Sequence, residues 1–281
     1  MPYWTREGGN VHNCLVPAVG RLRYLEAPPR GAARARGTLV LLHPFPLNAR
    51  AWEPQLTLAD RGWHVLAPHF RGFDGGDHDP PATSLDDFAG DVFDLLDALH
   101  VHEAVIGGLS MGGYVALSMF RRAPRYVQGL ILADTRAEAD SPEGIEGRKR
   151  MLTLVREKGP SAVADEMVPK LLGNTTRATH PETVERVRSL VLSNSTDAIA
   201  GAVTALMTRP DSTALLAAIH RPTLILVGEE DALTPRALSE TLQRGIAGSE
   251  LTVIPRAGHL SSIEQPDAFN DALARFLDHR V

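Results

Sequence analysis

The residues with the clearest capacity for chemistry are Gly108-Leu109-Ser110-Met111-Gly112, a G-x-S-x-G motif. The motif lies between an apolar run at residues 103–109 (EAVIGGL) and a helical pattern at residues 111–122. A sharp strand-to-helix turn there lifts the Ser110 hydroxyl above the strand end, and glycines avoid clashes that side chains would make in so tight a turn. A serine hydroxyl is a weak nucleophile at neutral pH. It needs a base within hydrogen-bond reach, and the base needs a third group to fix its tautomer. Those partners belong after later strands, acid first and histidine second. Asp231 follows the strand-like PTLILVG at residues 222–228, and His259 follows residues 249–255 (SELTVIP) in a Gly-His turn. The candidate catalytic set is Ser110, Asp231 and His259. Asp231 has rivals in Glu229, Glu230 and Asp134, and is preferred because it stands at the loop position this order requires.

Acyl transfer also needs donors for a developing oxyanion. The Met111 N–H, directly after the nucleophile, is one candidate. The loop His43-Pro44-Phe45-Pro46 supplies the other through Phe45, since neither proline has an N–H to give. His43 is read as holding this loop by side-chain hydrogen bonds rather than moving a proton.

Alternating elements must position these groups. Residues 21–27 alternate like an early strand, and residues 38–43 (TLVLLH) and 64–68 (HVLAP) are short buried strands. A helix is expected at about residues 51–61, with Trp52 and Trp63 packing in the core. Residues 28–37 and 71–83 read as loops. Ser84 caps a helix with apolar residues at Leu85, Phe88, Val92, Leu95, Leu96 and Leu99, a 3.6-residue period. Residues 127–133 form the next strand, and residues 250–254 the last. Thr234-Pro235 is read as an N-cap and N1 pair, and Ser261 to Glu264 as a capping box opening the final helix. Residues 135–210 show helical periodicity without a convincing strand and interrupt the alternation as an insertion. Strand–helix alternation predicts an α/β fold with a mostly parallel central sheet flanked by helices.

The 281 residues suit one α/β domain with an insertion, and the 43% apolar content fills a sizeable core. A net charge of −5 without a basic block argues against nucleic-acid partners. Cys14 is the single cysteine, so no intrachain disulfide is available, in keeping with a cytoplasmic location. Residues 1–9 carry no apolar signal-peptide core, and no run approaches the ~20 apolar residues of a membrane span. His12, His64, His69 and His78 are scattered, without metal-ligand spacing, and no metal or cofactor is expected.

With these pieces in place, the chain resembles the α/β-hydrolase superfamily, and in it the bacterial carboxylesterase and enol-lactonase branch. The matching segments are LLHPFPLNARAWEPQ, APHFRGF, GLSMGGYVAL, LVGEEDALTP and AGHLSSIEQPDAF. One departure is Pro44, where the family usually carries glycine. The resemblance implies an α/β-hydrolase core of residues 1–134 and 211–281 and a helical cap at 135–210. Within that cap Met151, Met167 and Met207 are candidates, with Phe45, to line an apolar acyl pocket; packing between cap helices is the alternative for each methionine. The implied activity is hydrolysis of a small to medium carboxylic ester or lactone by a monomer or homodimer. Carbon–carbon bond hydrolases and cofactor-free perhydrolases share the triad and remain open, as does a slow-turnover small-molecule receptor. Ser110 argues against dehalogenases and epoxide hydrolases, which carry aspartate at that position.

Overall fold

The computed structural model describes residues 10–16, 20–30, 35–73 and 82–281. Residues 1–9, His78 and parts of the expected loops at 28–37 and 71–83 lie outside that set. The side chains of His12 and Cys14 lie outside it as well.

Eight strands form one sheet in the order β1-β2-β4-β3-β5-β6-β7-β8. They are β1 (Asn10–Val16), β2 (Gly20–Ala27), β3 (Gly37–Leu42), β4 (Trp63–Pro68), β5 (Ala104–Leu109), β6 (Val127–Ala133), β7 (Thr223–Gly228) and β8 (Glu250–Ile254). β1 pairs antiparallel with β2, and β2 antiparallel with β4. Every pairing from β4 through β8 is parallel. The central strands β5 and β7 are buried along their whole length, as expected of strands covered on both faces. β1 was not anticipated. Its sequence, NVHNCLV, mixes polar and apolar residues without clear alternation, and its pairing with β2 at the edge of the sheet defines it.

α1 (Leu85–Ala98) begins as expected at Ser84. The Ser84 hydroxyl accepts the Asp87 N–H at 3.1 Å, and the Asp87 carboxylate accepts the Ser84 N–H at 2.9 Å. α2 (Met111–Arg122) follows β5 directly. The helix expected near residues 51–61 is instead a 3-10 segment, Ala49–Arg61, capped by the Asn48 side chain. Pro54 stands inside it and lacks the N–H that a continuous α-helix needs there. Trp52 and Trp63 are both buried, and Trp52 meets Phe269 with ring centroids 6.0 Å apart.

Four α-helices and a 3-10 turn (Thr213–Ala218) occupy the chain between β6 and β7: α3 (Pro142–Leu171), α4 (Asn174–Thr179), α5 (Pro181–Leu192) and α6 (Thr196–Met207). α3 breaks at Gly159, whose φ of 72° only glycine adopts readily, and Pro160 follows it. The chain closes with α7 (Arg236–Gly245), α8 (Ser261–Glu264) and α9 (Pro266–His279).

Two cap assignments change. α7 starts after Pro235, and the Thr234 hydroxyl donates to Asp231 instead of capping the helix. Ser261 opens only the short α8 and donates its hydroxyl to Asp134, while the last helix starts at Pro266. In both cases a buried acidic side chain takes the hydroxyl from the helix end.

Candidate active site

Ser110 is the first residue after β5 and holds φ 54° and ψ −113°. A non-glycine residue in such a conformation costs about 1–3 kcal/mol and persists only where its surroundings fix it. Here they do. The Ser110 N–H donates to the Ala133 carbonyl at 2.9 Å, and its own carbonyl accepts the Thr135 hydroxyl at 2.8 Å and the Gly113 N–H at 2.9 Å. The flanking glycines are required by contact. A Cβ on Gly108 would lie 2.1 Å from the Gly112 carbonyl oxygen, and one on Gly112 would lie 2.0 Å from that of Leu42.

His259 Nδ1 donates to Asp231 Oδ2 at 2.9 Å, with both side chains buried. Asp231 Oδ1 accepts the N–H groups of Leu233 at 2.8 Å and Thr234 at 3.0 Å. Burial alone would push the Asp231 carboxyl upward. The His259 charge and the hydrogen bonds from His259 and Thr234 outweigh it and hold the pKa down to about 2. Thr234, read from sequence as a helix cap, sits 3.2 Å from His259 Nδ1 and braces both partners.

A model of the alpha/beta hydrolase family matches residues 39–272. The chain belongs to that family. The AB hydrolase superfamily protein YisY of Bacillus subtilis is 31% identical over 251 residues, covering 85% of this chain and 90% of YisY. The 3-oxoadipate enol-lactonase 2 of Acinetobacter baylyi is 27% identical over 238 residues, covering 85% and 87%. A thermophilic esterase from Thermogutta terrifontis, solved with malate bound, superposes with a TM-score of 0.87 at 36% identity, over 96% of this chain and 98% of that one. Hydrolytic function is the activity these relatives support.

In this hydrolase the rival acids are each engaged elsewhere. Glu229 accepts the Arg256 N–H at 3.0 Å, and Glu230 accepts the Thr175 N–H at 2.9 Å. Asp134 is fully buried and accepts the Gly228 N–H at 2.7 Å and the Ser261 hydroxyl. Burial, helped by the charge of Asp231, pushes the Asp134 carboxyl well above its ordinary range. His43 is also fully buried, and desolvation lowers its pKa to about 3. It stays neutral, accepting the Phe70 N–H on Nε2 at 3.0 Å and meeting the Pro44 carbonyl through Nδ1 at 3.1 Å. Its ring lies 4.4 Å from that of Phe70, between centroids. It ties the Pro44-Phe45 loop to the end of β4.

Ser110 and His259 border one cavity of about 120 Å³, together with Phe45, Tyr114, Met167, Leu171, Leu206, Leu233 and Thr234. Arg136 and Arg148 border it too. Of the three candidate methionines, Met167 reaches the cavity. Met151 is buried and Met207 half-buried, and Leu206 rather than Met207 lines the wall. Tyr114, Thr234 and the two arginines had no local sequence signal, because each reaches the cavity through the way its element packs. Among the described residues, no group of three or more His, Cys, Asp or Glu is placed to hold a metal ion. Among the same residues no single helix is long and apolar enough to cross a membrane.

Proposed function

We propose that this alpha/beta hydrolase cleaves carboxylic esters or lactones through an acyl-enzyme on Ser110. The observation that carries the reading is the buried Asp231–His259 pair bordering the same cavity as Ser110 on its strained turn. Asp231 accepts the Nδ1 proton and so leaves Nε2 as the basic nitrogen of His259. No Ser110–His259 hydrogen bond forms among the described residues; such bonds commonly tighten only when substrate arrives. His259 takes the Ser110 proton as the oxygen attacks the carbonyl, then passes it to the leaving alcohol. Water, activated by the same imidazole, releases the acid. In a lactone the leaving alcohol stays tethered to the acyl group.

The N–H groups of Phe45 and Met111 are the proposed oxyanion donors. Neither donates to a protein acceptor among the described residues. Met111 also opens α2, so its N–H lies at the positive end of the helix dipole. Residues 135–210 act in this reading as a cap, since Arg136, Arg148, Met167, Leu171 and Leu206 close the cavity from that segment. The cavity is smaller than the ~300 Å³ of the smallest drug-sized sites, which favours a short acyl group.

The test is hydrolysis of p-nitrophenyl acetate, butyrate and octanoate, with fluorophosphonate labelling in parallel. The wild type is expected to turn over the shorter esters and to label. Ser110→Ala should lose the label and about 10⁶-fold in kcat while keeping its thermal stability. Turnover that survives in Ser110→Ala would overturn the acyl-enzyme.

A further inference from the structure

Three arginines share one aspartate beside the catalytic cavity. Asp140, whose side chain is only 3% exposed, accepts Arg136 Nη2 at 2.5 Å, Arg148 Nε at 3.0 Å and Arg209 Nη1 at 2.9 Å. Burial raises the Asp140 carboxyl, but Arg209 and Arg148 outweigh that and keep it ionised. One carboxylate is thus shared by three guanidinium groups. Asp211 is engaged by the N–H groups of Ala139 and Thr213, and Glu138 forms no ion pair with the three arginines.

The arginines divide into two kinds. Arg209 is buried away from the cavity: it lies 4.4 Å from the Tyr114 ring centroid and donates to the carbonyls of Leu206 at 3.1 Å and Glu138 at 3.0 Å, with its Nε buried and unpartnered. Arg136 and Arg148 instead border the cavity that holds Ser110, each about a quarter exposed. A guanidinium offers five N–H donors. Asp140 takes one from each, Arg136 Nε is buried without a partner, and neither residue meets another acceptor among the described residues. Open guanidinium donors at the rim of a small cavity are matched by a planar anion, which a guanidinium grips by two parallel hydrogen bonds. Arg136 is also held in place, since it directly follows Thr135, whose hydroxyl binds the Ser110 carbonyl.

We propose that Arg136 and Arg148 form a carboxylate subsite, and that the substrate is a small ester or lactone bearing a second, non-scissile carboxylate. This rests on the hydrolase reading above and narrows it. The second carboxylate fixes the substrate against the cap segment while the scissile carbonyl lies at Ser110.

Ethyl hydrogen succinate and ethyl pentanoate test it, because they differ in a terminal carboxylate replaced by an apolar group of similar length. The wild type is expected to favour the half-ester in kcat/KM by about tenfold or more. In Arg148→Met, which leaves Asp140 two arginines, that ratio should fall by about tenfold, chiefly through KM. Arg148→Lys keeps the charge but loses the fork and should fall between the two; it replaces Arg148→Met if that variant does not fold. Calorimetry with succinate on Ser110→Ala reads the subsite without catalysis, and binding should vanish when Arg148→Met is added. A wild-type preference for ethyl pentanoate, with a ratio that Arg148 does not move, would overturn the subsite while leaving the hydrolase standing. Succinate binding that depends on Arg148, in a protein that turns over no ester, would keep the subsite and remove the hydrolase reading.

Discussion

On one wall of the cavity stand Ser110 and His259, with Asp231 bound to the imidazole; on the other stand Arg136, Arg148, Met167, Leu171 and Leu206. The first group sits on turns just beyond β5, β7 and β8, three strands of one parallel sheet. The second is carried by the segment between β6 and β7. In the sheet wall, position follows from backbone contact: glycines that tolerate no Cβ, a strained serine, and carboxylates whose acceptor sites are filled by buried donors. In the helical wall, position follows from side chains meeting across helices and from ion pairs around Asp140. The sheet wall is thus fixed by its backbone. The helical wall is built to set what fits, and its residues are open to exchange.

That contrast makes graded expectations. Asp231→Asn keeps the shape of the side chain but removes the charge that orients His259, and kcat should fall by about 10⁴-fold. A loss below about tenfold would show that another acid, with Asp134 the first candidate, takes over. Gly112→Ala drives a methyl into the Leu42 carbonyl, so unfolding by denaturant should show a loss of about 4 kcal/mol or more. A near-neutral result would mean that the elbow relaxes more than the packed sheet allows.

Asp134 offers a test by pH. Its folded carboxyl titrates well above the ordinary 3.8, so the fold holds a proton that the unfolded chain has released. The stability this proton contributes is complete below about pH 3.8 and is lost as pH rises towards the folded value. Asp134→Asn cannot ionise. Its melting temperature should therefore gain on that of the wild type as pH rises from about 4 to neutrality, and parallel curves would rule out the buried, protonated carboxyl. Met167→Ala, in the helical wall, is expected to cost only about 1–2 kcal/mol of stability while shifting the ester profile towards longer acyl chains. An unchanged profile would place the acyl group elsewhere in the cavity.

The strands that carry the site, from β3 through β8, were legible as short apolar runs, and α1 and α2 as periodic helices with visible ends. β1 was not, because an edge strand gains its structure from a partner that composition does not reveal. The 3-10 winding of Ala49–Arg61 is not legible because the apolar pattern of one turn is shared by both helix types. Thr234 and Ser261 carried good capping sequences, yet each hydroxyl went to a buried carboxylate from a distant or folded-back segment.

By itself, the sequence determined the G-x-S-x-G turn, the chain order of Ser110, Asp231 and His259, and the alternation that places them beyond the carboxyl ends of parallel strands. These are local matters of glycine sterics, hydrophobic periodicity and strand ends, and they are written in adjacent residues. Only the tertiary structure decided which of four acidic residues meets His259, that Thr234 braces the pair, and that Arg136 and Arg148 share the cavity with Ser110. Those outcomes depend on contacts between segments far apart in the chain, where burial and competition among hydrogen-bond partners, not spacing, select the partner.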